Sequence, residues 1–201
     1  YEQKSILKEM TSRYVGTNKI LPNIFGPGTD KILENIDHIH FVACGTSYHA
    51  SLVAKDWIEE YTTLTCTAEV ASEYKYKKIN VLPKTLFVSI SQSGETADTI
   101  SSLKKALKLK YSNTLAICNV AESTLTRLSK LVFLMNAGPE ISVASTKAFT
   151  SQLFTLLLLT IVISRKFGNI ESRMVKDIYK INEVIDALYK LEADIKKIST
   201  K

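Results

Sequence analysis

Residues 85–96 read TLFVSISQSGET, from Thr85 to Thr96. The first six, Thr85–Ile90, are almost continuously apolar and end at a turn crowded with hydroxyls. The turn leads into residues 96–109, where Ile100, Leu103 and Leu107 recur on one helical face. An apolar strand followed by an amphipathic helix is the unit of a parallel sheet covered on both faces.

The same unit repeats on either side. His38–Cys44 (HIHFVAC) reads as a strand, and Tyr48–Tyr61 as a helix with Ala54, Trp57, Ile58 and Tyr61 at helical spacing. Thr65–Val70 is a shorter strand, Thr114–Cys118 (TLAIC) a fourth and Leu131–Met135 (LVFLM) a fifth. The expected class is α/β: a doubly wound five-stranded parallel sheet in the flavodoxin-like order 2-1-3-4-5, with helical N- and C-terminal extensions. In that order strands one and three are neighbours.

Outside the sheet, residues 2–14 read as a polar helix expected to lie over a neighbouring unit. Pro22, Gly26, Pro27 and Gly28 read as a linker, and Thr29 or Asp30 as the cap of a short helix running to Ile36. A long helix is expected from Ser145 to Phe167, stopped by Gly168 and Asn169. Its run Leu153–Ile163 is too short for a membrane span of about 20 apolar residues and reads as a buried helix. Residues 170–199 carry a stripe of Ile178, Ile181, Ile185, Leu188, Ile195 and Ile198, which predicts a packed helix pair. The expected organisation is an extension over 1–28, a ligand-binding domain over 29–168 and C-terminal helices over 169–201.

Composition narrows the function. Apolar residues make up 45% and charged residues 23%, as in a globular protein with a sizeable core. The net charge of +6 comes from scattered lysines, which read as solvated faces, so no nucleic-acid partner is expected. Cys44, Cys66 and Cys118 are odd in number and widely spaced. That pattern suggests neither disulfides nor a zinc site and fits a reducing cytoplasm. The sequence opens on Tyr1, as expected of a piece of a longer protein.

Ligands of open α/β sheets bind beyond the carboxyl ends of the strands. Three polar segments stand there: Cys44-Gly45-Thr46-Ser47, the SQSGET turn of Ser91–Thr96, and Ala144-Ser145-Thr146-Lys147. Amides at a helix start attract anions, and Ser91, Ser93 and Thr96 add hydroxyl donors. No lysine or arginine is present in SQSGET, and it does not fit the P-loop pattern, so a single phosphate monoester suits it better than a nucleotide triphosphate with magnesium. Simple helix capping explains the same residues, and both readings stand on the sequence alone. Glu95 reads as a structural carboxylate stabilising the helix start, Cys44 as a small buried residue, Lys147 as solvated or carboxylate-paired, and His38 and His40 as structural. His49 is a weak site candidate.

Taken together, CGTSYHA, SQSGETADT, AICN and AGPEISVASTKAFTSQ resemble, over essentially the whole chain, the glutamine–fructose-6-phosphate aminotransferase family. The match is to the first of its two sugar isomerase (SIS) subdomains. That family makes glucosamine 6-phosphate and glutamate from fructose 6-phosphate and glutamine, in hexosamine biosynthesis. A glutaminase domain releases ammonia, which reaches the isomerase part through a channel. The resemblance implies that Ser91, Gln92, Ser93 and Thr96 hold the phosphate, that Thr46 and Ser47 contact phosphate and sugar, and that Val143 (through its backbone) and Ser145 line the sugar pocket. It implies a cytoplasmic homodimer with no cofactor, no metal and no membrane partner.

The family's glutaminase domain, second SIS half, Schiff-base lysine, proton-moving glutamate and partner-subunit histidine have no counterpart in these residues. The chain is therefore expected to hold sugar phosphate, with no catalytic residue of its own. Two other readings share the motif: a sugar-phosphate sensor of a transcription regulator, and a fructosamine-phosphate deglycase.

Overall fold

The computed structural model describes residues 2–141, 145–168 and 170–199. Five strands form one all-parallel sheet: β1 (His38–Ala43), β2 (Thr65–Val70), β3 (Thr85–Ser91), β4 (Asn113–Cys118) and β5 (Leu131–Leu134). Their order is β2-β1-β3-β4-β5, the flavodoxin-like order expected. β1 and β3 run side by side, with Ala43 opposite Ile90.

Both faces of the sheet are covered, because alternate residues of each strand point to opposite sides. Ile39, Phe41, Val88, Ile90, Leu115, Ile117 and Phe133 belong to the larger core. That core is closed by α1 (Glu2–Tyr14), α3 (Gly45–Tyr61), α7 (Lys147–Ser164) and α8 (Glu171–Lys190), with α2 (Thr29–Glu34) against α7. Val42, Phe87, Ala116 and Cys118 face the smaller core, under α4 (Ala71–Tyr74), α5 (Ala97–Lys108) and α6 (Thr124–Leu128). By length and composition α7 could cross a membrane, yet 78% of it is buried, chiefly against α3 and α1.

Several boundaries differ from expectation. α3 begins at Gly45 rather than Tyr48, because Gly45 takes a left-handed φ of 56° that turns the chain into a helix directly off β1. α7 begins at Lys147 and ends at Ser164, short of Phe167: the Ser164 carbonyl accepts the Phe167 and Gly168 amides in a closing turn. The 22–28 stretch is more than a linker. Phe25 is fully buried against Phe133, with ring centroids 5.1 Å apart, and its carbonyl accepts the Val132 amide at 3.1 Å. It thereby covers part of the free edge of β5. α1 packs on this chain's α7 and α8 and buries Leu7 and Met10.

The tail breaks at Leu191 into α8 and α9 (Glu192–Ser199). Of its stripe Ile178 is buried, while Leu188, Ile195 and Ile198 are exposed, so within this chain it does not close on itself as a packed pair.

On the smaller-core side, His38 contacts the Thr65 and Thr67 hydroxyls at 2.6 and 3.1 Å. His40 contacts the Tyr111 hydroxyl at 2.8 Å and Glu69 Oε1 at 3.2 Å. Both histidines are thus held in place by side chains of neighbouring elements. Burial lowers both imidazoles below their usual value, against the opposing pull of Glu59 on His38 and of Glu69 on His40. A histidine that is harder to protonate when folded gives stability that is present above the unfolded pKa and lost as pH falls. The melting temperature should therefore drop between about pH 7.5 and about pH 5.5. A chain with both histidines changed to glutamine should lose much of that slope; an unaltered slope would place the dependence elsewhere.

Candidate functional site

The register of the sheet builds the site. Since Ala43 lies opposite Ile90, the turns that follow β1 and β3 leave the sheet side by side at its carboxyl edge. The connection after β5 crosses back so that α7 packs on α3, which brings Ser145 to the same place. The result is a cleft of about 190 Å³ lined by Cys44, Thr46, Ser47, Ile90, Ser91, Gln92, Ser93, Thr96 and Ser145. Seven of the eight residues singled out in the sequence meet there; Val143 lies outside the described residues. His49 is exposed and does not line the cleft, whereas Cys44 is half-buried and does.

Hydrogen bonds fix what the turn after β3 can offer. Ser91 Oγ accepts the Gly94 amide at 3.1 Å and contacts Thr96 Oγ1 at 3.0 Å. Ser93 Oγ accepts the Glu95 amide at 3.1 Å. Two amides of the turn are therefore used internally, as the capping reading requires. The Ser93 hydroxyl accepts in that bond, so its own proton remains available to a ligand. The Ser93 and Thr96 amides find no acceptor among the described residues. Neither Thr96 nor Cys44, the residues that cap α5 and α3, makes a side-chain cap bond. The amide-bearing starts of two helices thus open toward one cleft with their positive dipole ends.

Charges are arranged around the cleft, not in it. Among the described residues, no lysine, arginine, aspartate, glutamate or histidine lines it. Glu95 faces away: its Oε1 accepts the Thr124 amide at 2.6 Å, and that bond lowers its carboxyl below the usual value. It therefore caps α6, not the start of α5. Asp98, in the first turn of α5, is paired with Lys75 at 2.6 Å. Lys147 is paired with Glu2 at 2.8 Å, and it pulls the Glu2 carboxyl down. The α7 start is occupied by protein, because Glu140 Oε2 accepts the Thr146 and Ala148 amides at 3.3 and 3.0 Å. Among the described residues at the cleft, the α3 and α5 starts are the ones left to receive an anion. A dianionic monoester held by neutral hydroxyls and amides is the chemistry this arrangement supports.

A family model, that of the SIS domain, matches residues 32–162. The chain belongs to the SIS domain family. The chain is 43% identical, over 99% of its length, to glutamine–fructose-6-phosphate aminotransferase (isomerizing) of Pseudomonas aeruginosa. The protein of that name from Idiomarina loihiensis is 48% identical over 84% of the chain. The chain spans about a third of the length of these curated relatives, 33% and 28% respectively. Among solved structures, the C-terminal domain of glucosamine-fructose-6-phosphate aminotransferase from Francisella tularensis superimposes with a TM-score of 0.93 at 40% identity, covering 99% of this chain and 57% of that one. The similarity carried by the motifs is thus found again along the whole SIS chain.

Sequence reasoning missed three supports of the SIS cleft. Asn119 fastens the start of the crossing connection, donating to the Gly138 carbonyl and accepting the Ala137 amide, both at 2.7 Å. Glu140 caps α7. Gln152 reaches from α7 to Ser47. A long polar side chain directly before the apolar run of α7 was the one available signal for Gln152; the other two depend on loop geometry.

Proposed function

We propose that the cleft binds the phosphate of a hexose 6-phosphate, with Ser91, Gln92, Ser93 and Thr96 around the phosphate and Thr46, Ser47, Val143 and Ser145 toward the sugar. In this reading residues 29–168 are the binding unit. The chain is the sugar-phosphate-holding half of the isomerase part of a cytoplasmic, homodimeric enzyme that makes glucosamine 6-phosphate from fructose 6-phosphate and glutamine. One observation carries it: the open starts of α3 and α5 converge with hydroxyls on a cleft whose described lining residues include no charged side chain. The sensor and deglycase readings gain nothing comparable, since the relatives named above carry the aminotransferase name.

The lining residues include no carboxylate, imidazole or amine able to shuttle a proton between sugar carbons. The chain alone should therefore hold its ligand without converting it. Calorimetric titration with fructose 6-phosphate should show saturable binding that inorganic phosphate competes away, and the sugar recovered afterwards should be unchanged. Absence of binding heat would overturn the phosphate assignment. Formation of glucose 6-phosphate would overturn the division of labour.

A further inference from the structure

Gln152 is fully buried in α7, and its Nε2 lies 3.0 Å from Ser47 Oγ. The other buried hydroxyl residues of α7 satisfy themselves within their own helix. Ser151, Thr155 and Thr160 each donate to the carbonyl four residues back, and Ser164 to the carbonyl three back. Gln152 instead reaches across to α3, and it does so at a cost, because its Oε1 is buried with no hydrogen-bond partner among the described residues. An apolar side chain of the same length would fill the space without that penalty. The amide is held there for its donor end.

The consequence falls on Ser47. Its hydroxyl has one proton and two lone pairs. No other partner for Ser47 Oγ occurs among the described residues. Accepting from Gln152 commits a lone pair to the core side and leaves the proton to point into the cleft that Ser47 lines. We infer that Gln152 is a positioning residue that fixes Ser47 as a hydrogen-bond donor toward an anionic ligand. This deepens the phosphate assignment above and rests on it.

The test is fructose 6-phosphate affinity in the unaltered chain and in Gln152→Glu, Gln152→Met, Ser47→Ala and Gln152→Met/Ser47→Ala, with thermal melts to confirm folding. At about pH 9.5, above the pKa of about 8–9 that a buried carboxyl can reach, an introduced carboxylate can only accept, so Ser47 must turn its proton away from the cleft. Gln152→Glu should then bind about ten- to a hundredfold more weakly. The deficit relative to the unaltered chain should shrink as pH falls, because a buried carboxyl becomes protonated readily and can then donate like the amide.

Should Gln152→Glu fail to fold, the Met variants carry the test. Gln152→Met should weaken binding by about two- to tenfold, and this loss should vanish once Ser47 is alanine. Gln152→Glu binding as well as the unaltered chain at about pH 9.5, or a Gln152→Met loss that persists without the Ser47 hydroxyl, would overturn the inference while leaving the phosphate assignment intact. Failure of the unaltered chain to bind would remove both.

Discussion

Replacing Gly94 with alanine should abolish measurable sugar-phosphate binding and lower stability by about 2–4 kcal/mol. Gly94 sits at φ 68°, where an L side chain is strained. Its added methyl would lie 2.1 Å from Ser123 Oγ, 2.5 Å from Ser123 Cβ and 3.3 Å from Cys118 Sγ. None of these neighbours can yield easily. Ser123 caps α6, where its hydroxyl accepts the Thr126 amide, and Cys118 is fully buried in β4. The turn must therefore lift off the α6 start. Lifting it breaks the Gly94–Ser91 and Glu95–Ser93 bonds that hold both hydroxyls in place. Adding Ser123→Gly removes the two closest atoms, so the double variant should recover part of the stability, leaving the φ strain of about 1–2 kcal/mol. Chemical denaturation and calorimetry of the two variants would check this. Gly94→Ala binding as tightly as the unaltered chain would mean that the turn is not the phosphate cradle.

Ser93→Asp should retain the fold and bind sugar phosphate at least about a hundredfold more weakly. Ser93 is half-buried, and its oxygen already accepts the Glu95 amide, a role that aspartate performs equally well in a turn. The difference is charge. A carboxylate would stand where the ligand's dianion is to be held, in a cleft with no cationic side chain to offset it. At about 4 Å, like charges near a protein surface repel by several kcal/mol, and the substitution also removes the donor proton. Titration of Ser93→Asp beside a thermal melt would decide the matter. A preserved melt with preserved affinity would return Ser93 to a purely capping role.

Both predictions turn on residues visible in the sequence, and the reason is physical. Near-continuous apolar runs such as Thr85–Ile90 and Leu131–Leu134 are best buried in a sheet covered on both sides, so the fold class was legible, whereas the strand order came from the flavodoxin-like pattern and not from the runs themselves. Hydroxyl-rich turns at strand ends were legible for a similar reason: such residues have little use inside strands. What escaped depends on groups distant in the chain. That Ser91 and Ser93 each accept an amide of their own turn follows from the path forced by Gly94, not from composition. The partner of Glu95 lies 29 residues away at the α6 start, and that of Gln152 lies 105 residues away. The early start of α3 was hidden because a left-handed glycine can either end a strand or begin a helix. Phe25 looked like part of a linker because the free edge of β5, which it covers, exists only once the sheet is formed.

The neutral lining of the cleft also bears on how a ligand arrives. Dipoles and hydroxyls act over a few ångströms, whereas a lysine or arginine would cast its field across a Debye length of about 8–10 Å. Whatever long-range pull exists comes from a net charge of +6 spread over the molecule, not from the mouth of the cleft. Capture is therefore decided by fit upon collision. Added salt should slow encounters only modestly, and the pocket should discriminate between anions by shape and proton-accepting geometry more than by how much charge they bear.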